Sequence, residues 1–465
     1  MKHKILLFSA LITLGTSVQA QYTTMVTENF TSCASLNANK MRVRDWPGTK
    51  YALTYSQLDV GGVFQAIDHS AFTGGGTIPL PLFEVKIPSN LSTVGDFRII
   101  GDYVCFHGIE YTGIAPYYSA SYLGFFDIND LFSGGMVNYK LIAIQDGGVE
   151  RIEGFCDSYG FKVFAIGTHR EIVSGQPRSF YAIYEVDNPP IATGYICRYT
   201  TVSQQEPWNE FFEDIVVLDD RVVFVCSHHF YSTLPYGYFG PIEMRWVHKS
   251  SGINDLQIDR RYYQTSTAPL PEREINSRIQ AKPISGDQFV ICYTNSNQTS
   301  GVSTRRVRVF DANLDNINSQ EFSMFSKEDM YEMAYNRRNE TLTVLEPDGV
   351  SSRFVFVHPL TASAYTALTL NDPDNVYFSL DTVSSKELIS VRDRGWLLQY
   401  ADRLSANPSV TTNACLDNGE EKVTIIPSLE KKDFPDVLSI LFGGLDNPEN
   451  VPVISCSVDV ICISY

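Results

Sequence analysis

Four short apolar runs, separated by turn residues, recur along most of this chain, and that recurrence limits the folds open to it. In the second repeat the runs are DFRII (96–100), YVCFHG (103–108), YLGFFDI (122–128) and VNYKLIAI (137–144). In the fourth they are EDIVVL (213–218), RVVFVC (221–226), EMRWVH (243–248) and DLQIDRR (255–261). Val, Ile, Phe and Tyr fill the runs, and Gly, Asp, Asn and Pro separate them, which is the pattern of an all-β chain. Long stretches with apolar residues at three- and four-residue spacing are missing, so helix is expected in less than about one tenth of the residues, against the usual third.

With the runs labelled A to D, the aromatic residue of run C stands at Phe126, Tyr184, Trp246, Phe310, Phe356 and Tyr400, at intervals of 58, 62, 64, 46 and 44 residues. Four strands at such a period resemble the β-propeller architecture, whose blades repeat roughly every 40–50 residues. The resemblance covers about residues 40–410 and is to the architecture in general; no WD dipeptide, kelch double glycine or sialidase-type Asp box assigns a family. It implies four-stranded antiparallel blades in a single domain over residues 21–465. KYALTYS (50–56), GVFQAID (62–68) and LFEVKIP (83–89) supply a first set, which makes seven blades, with six and eight as the bounds. The apolar runs after Asn413 are expected to complete the last blade or to close the ring, beside strands from the 40–90 region. Two stacked β-sandwiches are the alternative, and the regular A–D order without a Pro/Gly/Ser-rich linker favours the ring.

Residues 1–20 read as an export signal: Lys2 and Lys4, an apolar run from Ile5 to Gly15, then Val18-Gln19-Ala20. That run is shorter than the about 20 residues a membrane span needs, and no later segment is long and apolar enough. A secreted or periplasmic protein without a membrane span is expected. The formal net charge of -17 speaks against nucleic acid as a partner. There are nine cysteines, so at least one thiol stays unpaired in an oxidising compartment. Cys105, Cys226 and Cys292 lie inside apolar runs and read as small core hydrophobes. Cys33 reads as the partner of Cys415, Cys456 or Cys462. No CxxC or Cys/His zinc spacing occurs, and neither a metal nor a cofactor is expected.

In a propeller the B–C and D–A connections share one face. The B–C loop of the second repeat carries Tyr117 and Tyr118, and that of the fourth carries Tyr231, Tyr236 and Tyr238. His169 lies in the loop between them. A phenol offers an apolar ring with a polar tip, so these residues read as a ligand-binding set for a glycan or an extracellular protein. The bland alternative is that long loops pack their aromatics onto the blade beneath. Acids cluster at the start of run A: Asp96, Glu150, Glu213, Asp214, Asp329 and Asp374, with Glu274 beside them. As channel-mouth carboxylates they suit a cation or a glycosidic bond, although solvated turns favour acids in any case. His107, His169, His228 and His229 close run B in successive repeats, but blades splay apart and three such side chains need not meet. The reading is therefore a secreted binding protein acting through aromatic B–C loops. The alternative is a glycan-active hydrolase or lyase using the channel-mouth carboxylates; no GxSxG, P-loop, HExxH or dinucleotide motif decides for an enzyme.

Overall fold

A run such as RVVFVC is apolar at every position from Val222 to Cys226 because successive side chains of a strand point to opposite faces and here both faces are buried. In the computed structural model, Val222, Phe224 and Cys226 pack with Phe164, Ile166 and Tyr181 on one side. Val223 and Val225 pack with Ile279 and Ile291 on the other. The described residues lie between Tyr22 and Ser464; residues 1–21, 30–41, 69–82, 87–92, 112–118, 171–176, 201–207, 231–241, 265–273, 325–331, 371–376, 402–416 and 452–458, with several shorter loops, fall outside them.

The described strands form seven antiparallel sheets. Sheet 1 is drawn from residues 42–86, sheet 2 from 93–144, sheet 3 from 148–200, sheet 4 from 208–264, sheet 5 from 274–323, sheet 6 from 332–370 and sheet 7 from 377–401. In sheets 1 to 6 the strands pair in chain order as A, B, C and D, and in sheet 7 the three strands of 377–401 pair in chain order as A, B and C. The A strands touch one another in a closed circuit: 42–45 with 93–100, then 148–156, 208–217, 274–283, 332–336, 377–383 and back to 42–45. Sheets radiating from a ring of first strands are the arrangement of a β-propeller. The core is divided accordingly. Leu53, Phe64 and Phe97 lie between sheets 1 and 2, Cys105, Phe161 and Tyr184 between sheets 2 and 3, and Val290, Phe322 and Val344 between sheets 5 and 6. Among the described residues a five-residue 3-10 segment, Ile128–Phe132, is helical, and no helix is long and apolar enough to cross a membrane.

Three expectations need correcting. Sheet 1 is a complete four-stranded sheet whose first strand is Arg42–Asp45, and no described strand from 411–465 pairs with it. The missing fourth strand of sheet 7 comes instead from Tyr22–Asn29, which pairs with Gly395–Ala401 on one side and Asp459–Ser464 on the other. The fourth strand of sheet 4 is Asp259–Gln264 rather than 255–261; it lies outermost in the blade proper, and its sequence DRRYYQ carries no strong apolar signal.

The C-terminal residues also do more than complete one blade. Asp417–Glu421 adds a fifth strand to sheet 6, Thr424–Ile425 to sheet 5, Glu430–Lys432 to sheet 4, Leu438–Leu441 to sheet 3 and Asp446–Val451 to sheet 2. Asp459–Ser464 then ends on sheet 7.

Candidate functional site

The A strands begin earlier than their apolar runs, at Thr93, Gly148, Trp208 and Glu274. Asp96, Glu150 and Asp214 therefore lie inside the innermost strands and not in the D–A turns. A register irregularity recurs at or just before one position of these strands: between Val94 and Phe97, Val149 and Arg151, Phe212 and Asp214, Ser277 and Gln280, and Tyr377 and Ser379. A bulge re-aims the side chain beside it. The positions so marked, completed by the strand starts at Arg42 and Glu332, run Arg42, Asp96, Arg151, Asp214, Gln280, Glu332 and Ser379 around the ring.

Acceptors at this level clasp the next sheet. Asp96 Oδ2 accepts the Ile152 amide at 3.1 Å, and Asp214 Oδ2 accepts that of Ala281 at 2.8 Å. Glu332 Oε2 accepts the Leu380 amide at 3.1 Å, and Ser379 Oγ accepts that of Val43 at 3.0 Å. Ser379 in turn donates its hydroxyl to Glu332 at 2.6 Å. Cations neutralise the acids. Arg44 reaches Asp96 at 2.6 Å and Glu332 at 2.8 Å. Arg98 reaches Asp96 at 2.9 Å and Glu153 at 2.7 Å. Arg151 stands 4.0 Å from Asp214.

Burial by itself would raise Asp96, but Arg98, Arg44 and Arg151 outweigh it and hold the carboxyl well below its ordinary range. Burial likewise opposes ionisation of Glu332, and Arg44, Arg42 and Arg151 overcome it, pulling the group down to about 2. For Asp214, burial wins over Arg151, Lys282 and the two amides it accepts, and its pKa is raised. Asp96, Asp214 and Glu332 are all buried, at 0 %, 4 % and 2 % exposure. Acids so occupied do the work of inter-sheet staples: each satisfies a backbone N–H that a propeller's splayed inner strands leave without a ladder partner.

The remaining residues read from sequence are distributed as follows. Glu213 is half-buried and accepts the Ser227 hydroxyl at 2.6 Å. Glu274 receives Arg306 at 2.9 Å, and Glu150 lies on the innermost strand of sheet 3. His107 is fully buried, and burial pulls its imidazole down to about 3, which keeps it neutral. His169, read from sequence as a loop residue, lies instead on the B strand of sheet 3 and pairs through its backbone with Arg178, and His228 and His229 pair with Glu210 and Asn209. Tyr117, Tyr118, Tyr231, Tyr236, Tyr238, Asp329 and Asp374 lie outside the described residues. Among the described residues no group of three or more His, Cys, Asp or Glu side chains is placed to hold a metal ion. Cys105, Cys226 and Cys292 are buried as expected; Cys33, Cys415 and Cys456 lie outside the described residues, and Cys462 stands on the last strand.

Sequence reasoning missed Arg44, Glu332 and Ser379. The available signal was a polar residue directly before a core residue in each A strand: Asp96-Phe97, Arg151-Ile152, Glu332-Met333 and Ser379-Leu380.

The B and C strands end unevenly. In sheets 2 and 3 they run 9 and 11 residues, and in sheets 6 and 7 only 6 or 7. The Tyr111–Ser119 and Arg170–Pro177 pairs close the long hairpins.

No protein-family model matches the chain, and no curated protein matches it. Among solved structures it is similar to Drosophila Semaphorin 2a, with 8% identity and a TM-score of 0.44, over 81% of this chain and 76% of that one. The Dos1 propeller is similar at 10% identity and a TM-score of 0.36, over 78% and 77%. A Bombyx mori GH32 β-fructofuranosidase shows 10% identity and a TM-score of 0.31, over 88% and 93%. The chain resembles the β-propeller architecture without a family assignment.

Proposed function

We propose that this protein is an exported seven-bladed propeller that binds a glycan or an extracellular protein on its B–C face. The observation that carries the reading is the uneven height of that face. The hairpins of sheets 2 and 3 extend 9 and 11 residues per strand, and in sheet 4 the B strand extends 10. By sequence, Tyr117 and Tyr118 fall in the B–C connection of sheet 2 and Tyr236 and Tyr238 in that of sheet 4, while His169 stands near the end of the B strand of sheet 3. A rim on one side of a rigid ring suits an extended ligand, which can lie across several loops at once. Binding rather than hydrolysis is favoured because Asp96 and Asp214, two of the acids nearest the axis, are already occupied by backbone amides. A retaining or inverting glycosidase needs its carboxyl pair turned toward a substrate.

The test is a glycan array and an extracellular-protein pull-down with the mature protein, repeated with Tyr236→Ala/Tyr238→Ala. The reading expects a hit that the double variant weakens by about 1–3 kcal/mol while the melting temperature holds. An unfolded double variant would assign these tyrosines to packing, and glycan cleavage by the parent would favour the hydrolase.

A further inference from the structure

We infer that the C-terminal segment 417–464 is a hoop that locks the ring from outside. A sheet that stopped at its fourth strand would end in a row of backbone groups with no further neighbour, and such edges recruit strands from other chains. Here the chain covers its own edges in a fixed circuit. The tail pairs with Tyr365–Leu370 of sheet 6, then with the outer strands of sheets 5, 4, 3 and 2 in turn. This path runs opposite to the order in which the sheets were built. Each pairing is short: 2 residues on sheet 5, 3 on sheet 4 and 4 on sheet 3. None would persist alone, but strands tethered in series bind intramolecularly, so each docked strand raises the effective concentration of the next.

The end of the tail gives the hoop its purpose. Asp459–Ser464 pairs with Tyr22–Asn29, matching Val26 with Ile463 and Thr27 with Cys462. Tyr22–Asn29 is the strand that completes sheet 7, where the ring passes from the last A–C set back to sheet 1. Its outer side is covered by the last strand of the chain. Withdrawing Tyr22–Asn29 to open the seam therefore means either breaking its pairing with Asp459–Ser464 or pulling that strand, and the tail docked behind it, away as well. Sheet 1 supplies an internal control, since it alone has no fifth strand among the described residues and its outer strand Phe83–Lys86 pairs on one side only.

The experiment uses the full mature chain carrying a specific protease site inserted between residues 402 and 416, cut after folding. Before cutting, amides of Tyr365–Leu370, Ala192–Thr200 and Tyr22–Asn29 should exchange at least about tenfold more slowly than those of Phe83–Lys86. After cutting, the C-terminal peptide should co-elute with the ring in native gel filtration. Its release should need denaturant and should coincide with faster exchange at Tyr22–Asn29. Equal exchange in covered and uncovered outer strands would overturn the proposal. So would a peptide that separates under native conditions and leaves exchange at Tyr22–Asn29 unchanged.

Discussion

Arg44 donates to Asp96 at 2.6 Å, and both residues are buried, at 4 % and 0 % exposure. The same guanidinium reaches Glu332 at 2.8 Å, so one cation on sheet 1 serves acids from sheets 2 and 6. Removing it leaves two buried carboxylates short of charge. Arg44→Met is expected to cost about 3–5 kcal/mol, read from the urea midpoint. Arg44→Lys should recover only part of this, because an ammonium lacks the planar fork that meets two acids at once. A methionine variant as stable as the parent would contradict the staple.

Glu332 makes the acid limb of stability predictable. Its folded pKa is about 2, below the ordinary value of 4.5. A depressed carboxyl stabilises the fold fully above its unfolded pKa and ceases to do so as pH falls through the folded value. Stability should therefore drop between about pH 4.5 and about pH 2, by about 2–4 kcal/mol from this group. Glu332→Gln should be less stable than the parent at about pH 7, and the gap should close toward about pH 2. A pH-independent gap would assign Glu332 to packing alone.

Asp45 acts with the opposite sign. Burial, with the Asp381 carboxylate beside it, raises its pKa to about 7. Asp381 also accepts the Asp45 amide at 2.9 Å, at the junction of sheets 7 and 1. The folded chain holds this proton after the unfolded chain has released it, so stability declines from about pH 4 to about pH 7. Asp45→Asn should stabilise the protein by about 1 kcal/mol at about pH 8, a value discounted for partial exposure, and change little at about pH 4. Paired thermal melts at the two pH values decide it.

Thiol labelling separates the cysteines by burial. Burial pushes the Cys292 thiol up to about 12, and it raises Cys105 well above the ordinary value. In native protein Cys105, Cys226 and Cys292 should resist iodoacetamide, while the exposed Cys156 reacts. Mass spectrometry of the labelled peptides, with and without denaturant, gives the result. Rapid native labelling of Cys292 would contradict its place in the core between sheets 5 and 6.

The B and C strands were the most legible part of this chain because they are buried on both faces. RVVFVC and FVICY lie within the strands Arg221–Phe230 and Phe289–Asn297. The A strands were less legible. Thr93, Val94 and Gly95 precede Asp96 without an apolar pattern, so the acid looked like the start of a strand and belongs to its interior. The edge strands were harder still: DNGEE, EKK and DNPENV are strands of the tail with almost no apolar residue.

Local chemistry determined the strands, the repeat and hence the propeller, since burial on alternating faces writes itself into every few residues. What an acid near the axis does depends on which sheet stands beside it, and the tertiary structure alone brought Arg44 from sheet 1 to Glu332 of sheet 6, 288 positions along the chain. It also decided how the ring closes. Backbone pairing between Tyr22–Asn29 and Asp459–Ser464 uses N–H and C=O groups that every residue carries, so no side-chain pattern announces it.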